Sequence, residues 1–66
     1  MEIQLNGESR QVDPQWTVAD LLTELGIENR YCAVERNQLV VPREQHATCH
    51  LASGDQIEVV TLVGGG

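Results

Sequence analysis

The sequence predicts an α+β roll, in which a single helix lies across one face of a mixed β-sheet. Three observations carry that expectation. A period-two segment near the start is closed by Asn6-Gly7, one amphipathic helix follows it, and a strongly apolar strand stands near the end. Sixty-six residues allow one domain. A domain of this size hides only about 60% of the surface its unfolded chain exposes, so its core is thin.

Residues 2–12 read as a hairpin. Ile3 and Leu5 alternate with Glu2, Gln4 and Asn6, the period of a half-buried strand. Asn6-Gly7 supplies the two positive φ angles of a type I′ turn, and Ser9 to Val12 returns before Asp13-Pro14 ends the pairing. Over 17–25, Val18, Leu21, Leu22 and Leu25 form one helical stripe. Thr17 is placed to cap it and Asp20 to answer from the third position. Gly26 stands where a left-handed residue closes a helix, with Ile27 folding back on the last turn and Trp16 covering the edge of the contact. Tyr31 to Glu35 and Leu39 to Val41 read as strands joined by an Arg36-Asn37-Gln38 turn, the second stopped by Pro42. Residues 43–50 are polar and read as a loop with one helical turn. Leu51 anchors the chain again before a Ser53-Gly54-Asp55 turn. Gln56 to Val63 is apolar on both sides, which places it in the sheet centre beside the first strand. The domain thus runs over 1–63, and Gly64, Gly65 and Gly66 form a tail.

The net charge of −6 argues against nucleic acid and against an anionic membrane surface, both of which call for Lys and Arg. It suits a partner with a basic docking site. Two cysteines, Cys32 and Cys49, are too few for a disulfide framework. With no basic, apolar leader after Met1, the setting expected is the reducing cytoplasm.

Three glycines after an apolar strand contribute no packing. Fully extended they reach about 10 Å. Without Cβ atoms they can thread a narrow slot and present the carboxylate of Gly66 inside another protein's active site. A carboxylate is a poor acyl donor. Adenylation by ATP converts it into a mixed anhydride, which a thiolate or persulfide can attack to leave a thiocarboxylate. The chain itself has no phosphate-cradling glycine loop and no nucleophile–base constellation. It reads as a protein cosubstrate rather than an enzyme, with no bound cofactor of its own; ATP and a sulfur donor would be used by partner enzymes.

The segments "MEIQLNGE", "TVADLLTELGI", "AVERNQLVVPRE" and "SGDQIEVVTLVGGG" together resemble the ThiS family of sulfur carriers over essentially the whole chain. The Val41-Pro42-Arg43 triplet is fairly specific, while the ending is shared more widely, including by the small subunit of molybdopterin synthase. The resemblance implies a β-grasp, ubiquitin-like fold. It implies that a ThiF-type adenylyltransferase activates Gly66, that a cysteine desulfurase system supplies sulfur, and that the thiazole synthase ThiG receives it for thiamine biosynthesis. Gly66 would be the sulfur acceptor, and Gly64 and Gly65 the threading residues. The rivals are sulfur carriage for molybdopterin, a ubiquitin-like modifier of lysines, and a plain interaction module without chemistry at Gly66. The absence of Phe counts against the molybdopterin reading.

His46, Cys49 and His50 recur at metal-ligand spacing, but a fourth ligand is missing, and a solvated polar loop is the favoured reading. Cys32 and Cys49 could carry persulfide; small buried apolar residues is the favoured reading. Val60, Leu62, Val41 and Arg43 are the candidate partner interface: the apolar character of Val60, Leu62 and 39–41 reads equally as an exposed docking face or as a core wrapping around the sheet edge, since register is not fixed by sequence. Arg43, Glu44, Asp55 and Glu58 read as solvated charges, some of them able to rim that interface.

Overall fold

A computed structural model describes residues 1–62. Residues 63–66, with the expected end of the last strand and the glycine tail, lie outside the described residues. The strands are β1 (Glu2–Leu5), β2 (Glu8–Gln11), β3 (Cys32–Arg36), β4 (Leu39–Val40) and β5 (Gln56–Thr61), with one helix, α1 (Val18–Leu25). Single 3-10 turns occupy Asn29–Tyr31 and Arg43–Gln45. The sheet order is β2-β1-β5-β3-β4, parallel between β1 and β5 and antiparallel elsewhere. β5 is therefore central and beside β1, and the crossover through α1 joins two strands, β2 and β3, that run the same way.

Local chemistry explains each boundary. Asn6 and Gly7 have φ of 50° and 82°, so the first hairpin turns in the sense that matches strand twist. Thr17 caps α1 reciprocally: its Oγ1 accepts from Asp20 N–H, and Asp20 Oδ2 accepts from Thr17 N–H at 2.9 Å. Gly26, at φ 73°, closes the helix with paired bonds, Gly26 N–H to Thr23 O and Ile27 N–H to Leu22 O. The second hairpin turns through Asn37 and Gln38 at φ 51° and 71° without any glycine. Asn37 is held there by three bonds: its N–H to Gln56 O, its Nδ2 to Asp55 Oδ1, and Gln56 N–H to its Oδ1.

The core lies between α1 and one sheet face. Val18, Leu21 and Leu22 are buried with Ile3, Val34, Ile57 and Val59, and Leu25 and Trp16 pack against them in part. No helix among the described residues is long and apolar enough to cross a membrane.

Three expectations are corrected. Val41 is only 8% exposed and belongs to the core: it lies beyond the short β4, and its N–H donates to Val34 O. His46 is 2% exposed, not solvated. Its Nε2–H donates to Val41 O at 3.1 Å, and its main chain accepts from Ala19 N–H, which fastens the 43–50 segment under α1. His50 is exposed, so His46 and His50 do not share a face. Asp55 is 5% exposed, not a solvated charge. It accepts from Arg36 Nε at 2.9 Å, Asn37 Nδ2 at 3.1 Å and Ala52 N–H at 2.8 Å.

Candidate functional site

Ile57 and Val59 are buried beneath α1, so their alternates Glu58 and Val60 face the other side of the sheet. The register puts Ala33 opposite Val60 and Glu35 opposite both Glu58 and Val40. Leu62 N–H donates to Tyr31 O, which brings those two residues together at the end of the same face. The result is an exposed apolar patch of Tyr31, Val40, Val60 and Leu62, with Val60 58% and Leu62 50% accessible. It leads directly to residues 63–66.

Two carboxylates stand within this patch. Glu35 and Glu58 are exposed cross-strand partners, and neither makes a salt bridge among the described residues. Like charges directly opposite each other destabilise a sheet. Their placement beside Val40 and Val60 gives the face an anionic centre that a cationic group can complement.

Arg43 stands in the turn after β4, where its Nη2 donates to Arg30 O at 3.4 Å, next to Tyr31 in the chain. Leu39 emerges on the opposite side of the edge strand from Val40. Cys32 is buried, and burial pushes its thiol up against the opposing pull of Arg43; a thiol held in that form is a poor nucleophile. Cys49 is half-buried beside Arg36 Nη1. No cluster of three metal-ligating side chains occurs among the described residues. Tyr31 and Glu35 were missing from the sequence-based interface. The signal for Glu35 was available, since it lies two residues from Ala33 and on the face opposite Val34.

The ThiS family model matches residues 3–66. The chain belongs to the ThiS family. It is 38% identical over 69 residues to the sulfur carrier protein ThiS of Bacillus subtilis, covering 97% of this chain and 98% of that one. It is 32% identical to the thiamine biosynthesis protein ThiS of Geobacter metallireducens, whose crystal structure superposes with a TM-score of 0.84 over the whole of both chains. The β-grasp roll is therefore the fold of a ThiS protein. The chain is also 42% identical over 66 residues to the thiazole synthase of Paramagnetospirillum magneticum. There it spans all of itself but about a fifth of its relative, 20% of that protein's length.

Proposed function

We propose that this ThiS-family chain is a sulfur carrier for thiazole formation in thiamine biosynthesis, with Gly66 as the residue that bears the sulfur. The observation that carries this reading is the family match, which runs through the terminal glycines rather than stopping at the folded domain. A ThiF-type adenylyltransferase joins the Gly66 carboxylate to AMP and releases pyrophosphate. A persulfide from a cysteine desulfurase system attacks the acyl carbon, and AMP leaves. A second thiol then cleaves the S–S bond, forms a disulfide and releases the thiocarboxylate. The carrier holds no cofactor of its own; ATP and the sulfur donor belong to its partners. Gly64 and Gly65 thread the partner's slot because no Cβ obstructs them.

Docking uses the face away from α1, where Val60 and Leu62 supply apolar area and Glu35 and Glu58 the charge. The thiazole synthase that contains a segment 42% identical to this chain supports a synthase of that class as the acceptor enzyme. All of these steps take place in the cytoplasm.

The test is intact mass after incubation with ATP, a ThiF-type enzyme and a sulfur source. The expected result is a gain equal to one oxygen exchanged for sulfur, absent when Gly66 is deleted or changed by Gly66→Val. No gain, with an enzyme shown to act on another carrier, overturns the reading.

A further inference from the structure

β5 is paired unequally along its two sides. On the β3 side the ladder runs to its end: Asn37 N–H donates to Gln56 O at 2.8 Å, and Leu62 N–H to Tyr31 O at 2.7 Å. Antiparallel partners alternate between hydrogen-bonded and non-hydrogen-bonded pairs. In the register Arg36↔Ile57, Val34↔Val59 and Cys32↔Thr61, the main-chain groups of Ile57, Val59 and Thr61 therefore point toward β1. Ile57 O accepts from Asn6 N–H at 2.9 Å. β1 then turns away, and the Asn6 side chain takes its place. Its Oδ1 accepts from Val59 N–H at 2.8 Å, and its Nδ2 donates to Val59 O at 3.3 Å. Thr61 is the next residue facing that side. It is exposed, and no group among the described residues reaches its N–H or C=O.

We propose that this edge receives a strand from a partner: an extended segment of the adenylating enzyme hydrogen-bonds to Thr61 N–H and C=O. The inference rests on the carrier reading above. An open strand edge is a template for pairing, and here it has been left open for a single residue. That is too short to act alone, so the partner must also cover the adjoining patch of Val60 and Leu62. Gly66 follows Thr61 by five residues (66 − 61), a reach of about 17 Å when extended. A bond at Thr61 therefore fixes where the tail starts and the direction in which it leaves the domain. A second copy is the poorer occupant. Each copy carries a charge of −6, which opposes the approach of a second copy to this edge.

Thr61→Pro removes the N–H at a position where the β3 ladder does not use it, and Val60 before it is already extended. The variant should fold and melt like the parent. Its KM as substrate of a ThiF-type adenylyltransferase, measured by ATP–pyrophosphate exchange, should rise up to about tenfold, the worth of the one main-chain hydrogen bond lost. A synthetic chain with an ester in place of the Val60–Thr61 amide should behave the same way, because it loses the same donor without a proline ring. An unchanged KM for the ester chain overturns the proposal, even if Thr61→Pro is impaired. Amide exchange gives a reading independent of both variants. The Thr61 amide should exchange fast in the free carrier and slowly in the complex, and fast exchange in both overturns the proposal. A carrier that dimerises through this edge overturns it too. A parent chain that is never adenylated removes the carrier reading itself, and the edge proposal with it.

Discussion

The two ends of β5 are built differently. At its start, Ile57 is 1% exposed, its carbonyl is paired to β1, and Asp55 just before it ties together Ala52, Arg36 and Asn37. At its end, Val60 and Thr61 are exposed, and β3 alone flanks the strand. The cause is geometric. A helix of eight residues is about 12 Å long and about 10 Å across, whereas six strand residues run to about 20 Å. Val60 is exposed because it points to the face away from α1, whereas Thr61, with the parity of the α1 side, lies beyond what one short helix covers. The covered end holds the domain together, and the other end stays accessible to solvent just before residues 63–66.

The sharpest way to break this division is to truncate the same strand at both ends. Ile57→Ala should cost about 4 kcal/mol of unfolding free energy, through lost burial and the cavity left behind. Val60→Ala should stay within about 0.5 kcal/mol of the parent in the same urea titration. It should nevertheless weaken capture by a ThiF-type enzyme. If Val60→Ala destabilised the domain as Ile57→Ala does, the two ends would not differ in role.

Asp55 sets the next effect. Removing it by Asp55→Ala takes away three hydrogen bonds, one of them to a guanidinium that is partly solvated, and should cost about 2–3 kcal/mol. Burial pushes its carboxyl up, but the bonds from Ala52 N–H, Asn37 and Arg36 outweigh burial and leave it below the usual carboxylate value. The unfolded chain therefore binds the proton more readily than the folded one. The stabilisation is complete above the unfolded value of about 3.9 and is lost as pH falls below it through the depressed folded value. Melting temperature should fall with acidification in the parent, and the slope in that acid range should flatten in Asp55→Ala. An unchanged slope would remove Asp55 from the account.

These residues also mark what a local reading could reach. The Asn6-Gly7 turn, the Thr17–Asp20 cap and the Gly26–Ile27 closure each depend on neighbours within a few positions, and the sequence pattern located all three. Asp55 depends on Arg36 and Asn37, 19 and 18 residues away, so its partners were out of local range. Its burial was still readable, because Asp55, Ile57 and Val59 share the period-two face that α1 covers. His46 sits in a polar run and is drawn inward only by packing under α1, which no periodicity announces. Val41 was misplaced because three apolar residues in a row leave strand parity open until the register is known. The exposure of Val60 and Leu62 matches one of the two readings that their surplus apolar character allowed. The open edge at Thr61 was not legible in the sequence, since it depends on where β1 stops.

The smallest effect expected lies midway along β5, where Glu58 faces Glu35 across the strands. Glu58→Gln removes one of two opposed charges and should raise stability by about 0.5 kcal/mol. The same change withdraws charge from the face proposed to meet a cationic partner, so association with a ThiF-type enzyme should slow and lose part of its salt dependence. The two effects have opposite signs in one variant, which general loss of structure cannot produce. A charge pair that costs stability is explained if it contributes to docking. If Glu58→Gln stabilised the domain and associated as fast as the parent at low salt, the pair would be a sheet defect with no part in recognition, and docking at this face would rest on its apolar residues alone.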